Sequence, residues 1–157
     1  MNIKIMLDKG ARITKAHKAD AGFDLYAREN GIIPAKGDRV FDTGVHIALP
    51  EGTMGLLFSK SGLNFKHGIT SEGIIDSGYC GTVKAKLYNN SLAPYAVKAG
   101  EKITQLIILP IITAELEIVD EFEETARGNN GFGSSGKRQK KKDGNILELT
   151  TKQTKNT

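Results

Sequence analysis

No window of helical length in this chain keeps an apolar stripe with a 3.6-residue period. Short apolar or alternating runs recur instead, each cut off by turn-forming residues. Turn signals stand at Pro34-Ala-Lys-Gly37, Pro50-Glu-Gly52, Asp76-Ser-Gly78, Pro94 and Lys98-Ala-Gly100. This punctuation predicts strands over Asn2–Met6, Phe23–Ala27, Arg39–Phe41, Gly44–Leu49, Thr53–Ser59, Thr82–Tyr88, Lys102–Leu109 and Glu115–Val119. Val83, Ala85 and Leu87 alternate with Lys84, Lys86 and Tyr88, which reads as a half-buried strand. One short helical turn is expected over Ser61–Lys66. Many short strands with almost no helix predict an all-β, antiparallel sandwich or jelly roll. There is no internal repeat.

Charge divides the chain. Residues 137–157 carry seven basic and two acidic side chains, which leaves 15 basic and 16 acidic in residues 1–136. The body is therefore nearly neutral, and the net charge of +4 comes from the tail. A basic body would point to nucleic acid; a basic tail is a weaker pointer, to nucleic acid or to protein. Low hydrophobicity and high charge predict disorder for the tail. With 157 residues there is length enough for one domain with its own core. The expected division is a β-domain over 1–120, a glycine-rich arm over 121–136 and the tail over 137–157. Cys80 is the only cysteine, so no internal disulfide can form and a reducing cytoplasm is the expected location. No apolar run reaches the ~18 residues of a membrane helix, so no membrane partner is expected. The start MNIKIMLDKG lacks the basic-then-apolar layout of a secretory signal.

Five segments carry candidate chemistry. In Ala19–Ala27, Asp24 lies between apolar residues of a strand. It is either a hydrogen-bonded carboxylate that fixes the strand or an acid of a metal or phosphate site. In Phe58–Leu63, Lys60, Ser61 and Gly62 follow a strand end. They make either a polar turn or a phosphate contact. In Gly73–Tyr79, Asp76 is a candidate general base and Tyr79 a flat ring for a sugar or base. The alternative there is an Asx-type turn with a core tyrosine. In Gly100–Ile107, Thr104 and Gln105 sit in an apolar strand and need partners, from the protein or from a ligand. The fifth segment, Gly131–Lys137, nearly matches a P-loop. It fails at Arg138, and neither a buried strand before it nor a helix after it is expected. A plain flexible linker would explain its glycines but not Arg127 and Phe132. Arginine can clamp a phosphate, and a phenylalanine between glycines can lie flat on a base.

Taken in order, these segments resemble the trimeric dUTPase family over roughly residues 2–136. The family's A-x-G-x-D-L stands at Ala21–Leu25, its R-S-G as Lys60-Ser61-Gly62, and its G-x-I-D-x-x-Y at Gly73–Tyr79. Its G-x-x-I-x-Q-L stands at Gly100–Leu106, and its R-G-x-x-G-F-G-S-[ST]-G at Arg127–Gly136. Lys60 occupies a position where the family more often has arginine, and the segment Gly68–Gly73 is shorter than the common family hairpin.

The resemblance implies a jelly-roll-like dUTPase fold with a flexible C-terminal arm, and a Mg²⁺-dependent enzyme that cleaves dUTP to dUMP and pyrophosphate. Such an activity limits uracil incorporation into DNA and supplies dUMP for dTMP synthesis. It also implies a homotrimer with sites shared between subunits. Asp76 would activate the attacking water and touch the deoxyribose 3′-hydroxyl, and Tyr79 would pack on the sugar and reject a 2′-hydroxyl. Gly73, Ile74 and Ile75 would read uracil with their backbone. Lys60, Ser61, Gly62, Lys84 and Gln105 would complete the substrate site, chiefly at the phosphates. Asp24 would help hold Mg²⁺, through water. Arg127, Phe132, Gly133 and Ser134 would close over the substrate as a lid. Two other readings compete. A deaminase of dCTP would need an added base, for which Glu72 lies nearby. A nucleotide-switched binding protein would use the tail.

Overall fold

The computed structural model describes residues 2–126 and 128. In chain order the elements are β1 (Lys4–Leu7), β2 (Ile13–Thr14), β3 (Gly22–Tyr26), β4 (Gly31–Ile33), β5 (Asp38–Ala48) and β6 (Thr53–Phe58). Then follow α1 (Ser61–His67), β7 (Ile69–Ile75), β8 (Thr82–Asn89), β9 (Tyr95–Val97) and β10 (Lys102–Pro110). Eight strands form one antiparallel sheet in the order β1-β5-β8-β7-β6-β10-β3-β2, and β4 pairs with β9.

The core shows that the sheet curls. Leu25 of β3 shares one buried cluster with Val45 and Ile47 of β5, although four strands lie between β3 and β5 in the sheet. Leu57, Ile75, Val83 and Leu106, from the intervening strands, and Leu49, just after β5, complete that cluster. The sheet folds over until its apolar face meets itself, as the expected jelly-roll-like architecture requires. A second buried cluster holds Phe41, Ile33, Ile69, Leu87, Val97 and Ile103. Each such large side chain adds about 1.5–3 kcal/mol when removed from water.

The expected alternation of β8 is present: Val83, Ala85 and Leu87 are buried and Lys84 is exposed. β2, β4 and β9 fall outside the expected strands, and three further local expectations change. The separate strands at Arg39–Phe41 and Gly44–Leu49 are one strand, β5. A register shift between Asp42 and His46 bends it without ending it, and Gly44 supplies the positive φ of 65°. Strand β7 was not anticipated; its polar Thr70-Ser71-Glu72 centre hides it, and pairing with β6 and β8 on either side holds it extended. Glu115–Val119 is not a strand. Its alternation finds no neighbour to pair with among the described residues, and Leu116 and Ile118 are 95% and 98% exposed. The described residues through Glu115 form one compact unit, and those from Leu116 onward a second, whose described residues are exposed. No described helix is long and apolar enough to cross a membrane.

Candidate active site

The curled sheet brings two of the expected site residues, Asp24 and Gln105, into one row. Asp24 on β3 is in register with Gln105 on β10, and Gln105 with Phe58 at the end of β6. Neighbouring strands lie about 4.8 Å apart, so the three positions form a compact band. The Gln105 Nε2 donates to the carbonyl of Ser59 at 3.1 Å. Gly22 makes room for that amide: a Cβ there would lie 3.2 Å from Gln105 Oε1. Thr104 is buried; it donates to the Phe58 carbonyl at 3.1 Å and meets Ser71 Oγ at 3.0 Å. Thr104 and Gln105 therefore both have partners within the protein.

After Phe58 the chain leaves the sheet. Lys60 caps α1 in an extended conformation, with φ −70° and ψ 126°, and Gly68 ends the helix at φ 68°. Ser61 and Gly62 are exposed in the first turn of α1, and nothing lies within 4 Å of a Cβ placed at Gly62. That geometry turns the Lys60 side chain back over β3, where its ammonium hydrogen-bonds Asp24 Oδ1. Lys102 takes the other oxygen, with Nζ 2.7 Å from Asp24 Oδ2. Asp24 is only 7% exposed. Burial alone would raise its pKa, but the hydrogen bonds and charges of Lys102 and Lys60 outweigh burial and hold it below the ordinary value. Asp24 raises Lys102 in turn. Two ammonium groups on one carboxylate leave a surplus positive charge, with the Lys60 and Lys102 side chains 27% and 43% exposed. That surplus suits a phosphate.

The donor set also bears on metal binding. Among the described residues no three His, Cys, Asp or Glu side chains gather to hold an ion. Both oxygens of Asp24 are engaged. This donor set fits an ion that keeps most of its own water, such as Mg²⁺, and does not fit one caged by the described side chains.

A second group of expected site residues lies elsewhere on the chain. Gly73 and Ile74 pair with Leu57 and Leu56 on β6, and Ile75, which is buried, pairs with Gly55. Asp76 follows, exposed, at the head of a turn closed by the Tyr79 N–H to its carbonyl at 3.3 Å. Gly78 supplies a φ of 84°. Tyr79 is 44% exposed, so it is not a core tyrosine. Its hydroxyl donates to the Thr82 carbonyl at 3.0 Å and its ring covers Gly81, where a Cβ would lie 2.4 Å from Oη. Lys84 is exposed on β8, next in line. Asp76 thus stands by the start of β6 and Lys60 just beyond its end. Phe58 lies three residues along β6 from Gly55, roughly 10 Å at about 3.3 Å per residue, and Lys60 follows two residues further on, off the sheet. Within one chain the two groups do not meet. Arg127, Phe132, Gly133 and Ser134, and the tail 137–157, lie outside the described residues.

A family model described as dUTPase matches residues 8–136. The chain belongs to the dUTPase family. It is 39% identical over 135 residues to the deoxyuridine 5'-triphosphate nucleotidohydrolase of Paramecium bursaria Chlorella virus 1, covering 85% of this chain and 96% of that one. Its fold is similar to that of the Staphylococcus bacteriophage 80alpha dUTPase with dUPNHPP, at TM-score 0.81 and 34% identity, covering 86% of this chain and 98% of the phage chain. It is also similar to a mutant dUTPase from phage phi11 of S. aureus, at TM-score 0.73 and 30% identity, covering 79% of this chain and all of that one. The phi11 structure describes the coordination of a structural Mg(II) ion.

Two residues touch the candidate site residues without any signal in the sequence. Lys102 reaches Asp24 only because the β10–β3 register places it there, and a lysine at the start of a strand carries no signal of its own. Gly81 matters through the ring that lies on it, which no spacing rule announces.

Proposed function

We propose that this dUTPase hydrolyses dUTP to dUMP and pyrophosphate at sites built between subunits of a homotrimer. One observation carries the shared site: in a single chain the exposed carboxylate of Asp76 and the cationic Asp24–Lys60–Lys102 cluster stand at opposite ends of β6. A phosphate held by the cluster of one subunit needs its base from the turn of another. A closed ring of three supplies that pairing at every site.

In this reading Asp76 accepts a proton from water as the water oxygen bonds to the α-phosphorus. The bond from that phosphorus to the bridging oxygen breaks, and pyrophosphate leaves with the electron pair. Lys60, Lys102 and Gln105, with Ser61 and Gly62, hold and neutralise the triphosphate. Mg²⁺, where bound, would add charge neutralisation on the phosphate oxygens, and Asp24 would reach its water shell. Tyr79 lies against the deoxyribose and leaves no space for a 2′-hydroxyl. The backbone of Gly73, Ile74 and Ile75 reads uracil. Arg127, Phe132, Gly133 and Ser134 close the site and exclude water.

Pyrophosphate release from dUTP, dTTP, dCTP and UTP with Mg²⁺ tests the reading, alongside Asp76→Asn. Strong preference for dUTP and near-complete loss in the variant are expected. Comparable turnover of UTP, uridine products from dCTP, or an active variant would overturn it.

A further inference from the structure

One side chain ties the turn that carries Asp76 and Tyr79 to the body of the sheet. His46 lies on β5, in register with Met6 of β1 and Thr82 of β8. Its Nδ1 is 2.9 Å from the carbonyl oxygen of Cys80, and its Nε2 is 3.2 Å from Asp8 Oδ1. A backbone carbonyl and an ionised carboxylate only accept hydrogen bonds. A neutral imidazole has one N–H and can satisfy one of them. An imidazolium has two and satisfies both. The two partners together therefore select the charged ring.

We propose that His46 is a positioning residue for the dUTPase reaction. As an imidazolium it fastens Cys80, and with it the Asp76–Tyr79 turn, to Asp8 just beyond β1; the neutral ring can keep only one of the two bonds, so the tie between the turn and Asp8 is broken. The inference rests on the roles given above to Asp76 and Tyr79. The turn's other side-chain contacts are local, from the Tyr79 hydroxyl to the Thr82 carbonyl and from the Cys80 thiol to the Gly78 carbonyl. Its own closing contact is the 3.3 Å bond from the Tyr79 N–H, and Gly78 at its centre has no side chain. Cys80 sits between Tyr79 and the Gly81 on which the Tyr79 ring lies, so a shift of the Cys80 carbonyl moves both surfaces that aim the ring.

Groups of both signs surround His46. Asp8 also pairs with Arg28 Nη1 at 3.2 Å, and Asp42 of β5 lies 3.8 Å from the same nitrogen. Lys4 of β1 lines the groove that His46 and Cys80 share, and Lys84 of β8 stands opposite Asp42. The Cys80 thiol donates to the Gly78 carbonyl at 3.4 Å and does not compete for the ring. The Cys80 carbonyl does most to raise the His46 pKa above its ordinary 6.5; burial opposes it, and Asp8 and Asp42 add to the rise. A raised value means that the tie is in place at low pH and is lost as pH climbs through the value of the folded protein.

A titration of the full-length enzyme by NMR, with kinetics on the same samples, decides the matter. The chain has three histidines, and the resonance missing from His46→Gln identifies the one in question. We expect His46 to titrate above the ordinary histidine value, with the Cys80 and Gly81 amide shifts following the same midpoint. Across that midpoint kcat/KM for dUTP falls roughly three- to tenfold, the worth of one hydrogen bond. His46→Gln, whose amide donates one hydrogen bond at every pH, loses the step, and Asp8→Asn moves it to lower pH. Amides of Cys80 and Gly81 that ignore the His46 titration would overturn the proposal. So would a kcat/KM step unchanged in His46→Gln. Should that variant not fold, the wild-type titration and Asp8→Asn still decide. Failure of the functional reading shows separately, as activity that survives Asp76→Asn.

Discussion

Asp76 and Lys60 stand at opposite ends of one strand. Ile75, just before Asp76, pairs with Gly55 near the start of β6, and Lys60 comes two residues after Phe58, which ends it. The strand is rigid and paired on both sides, with β7 and β10, so no side-chain motion closes the gap. The same β6 that separates the two groups in one chain also fixes each of them: it anchors the turn of Asp76 through Ile75 and launches α1 with its Lys60 cap.

This separation predicts complementation. Asp76→Asn and Lys60→Ala should each lack most activity as pure proteins. Refolded together in equal amounts, they should regain roughly a quarter of wild-type activity, because random mixing places an intact Asp76 beside an intact Lys60 of another subunit at that fraction of sites. Steady-state turnover of the mixture measures it. A mixture no more active than its parents would mean that each chain builds its own site.

Much of this was legible in the sequence, and the reason differs by element. The period-two pattern of β8 reads directly because one face is buried and the other is wet. The motif around Asp24 reads because a lone acid in an apolar strand must have partners. Which partners could not be read: Lys60 and Lys102 are 36 and 78 positions away in the chain, and only the register of β10 on β3 and the turn into α1 bring them in. Strand β7 stayed hidden for a related reason. Its central polar residues are satisfied by neighbours, Ser71 by the Ser59 hydroxyl at 2.9 Å and by Thr104, and those contacts are long-range. Conversely, Glu115–Val119 has a strand's alternation but no described neighbour to pair with, and alternation alone does not make a strand.

Asp24 should couple stability to acid. Its pKa is held below the ordinary 3.8 by Lys102 and Lys60 against the opposing effect of burial. A carboxylate lowered in the folded state contributes stability that is complete above its unfolded value and is lost as pH falls through the folded one. Acid denaturation of the wild type should therefore steepen below about pH 4. Asp24→Asn should lack that component and be less stable at neutral pH by about 1–3 kcal/mol, because one ammonium group loses its acceptor and both lose the opposing charge. Urea unfolding at several pH values checks both; an Asp24→Asn curve parallel to wild type at every pH counts against the ion cluster.

Leu106 joins the two sides of the curled sheet. It is fully buried on β10, between β3 and β6, and belongs to the cluster that spans β3 to β5. Leu106→Ala should destabilise the fold by about 2–5 kcal/mol, since the removed methyl groups leave a cavity that paired strands cannot collapse into. Thermal or urea unfolding measures it. A loss under 1 kcal/mol, the range of a surface change, would argue against a closed core.

Gly81→Ala isolates the Tyr79 ring. A Cβ at residue 81 would lie 2.4 Å from Tyr79 Oη and 2.7 Å from Cζ, so the ring must swing out and its bond to the Thr82 carbonyl must break. The displaced atoms are the far end of one exposed side chain, so the fold should survive with a stability change of about 1 kcal/mol, the worth of that hydrogen bond. Discrimination should suffer instead. With the ring moved off the sugar, a 2′-hydroxyl is no longer met by a wall, and the ratio of kcat/KM for dUTP over UTP should drop by roughly tenfold or more, the scale on which a single close contact rejects an added group. Parallel kinetics on the two nucleotides give the ratio. Preserved selectivity in a folded Gly81→Ala enzyme would remove Tyr79 as the sugar-reading residue and leave that task to another part of the site.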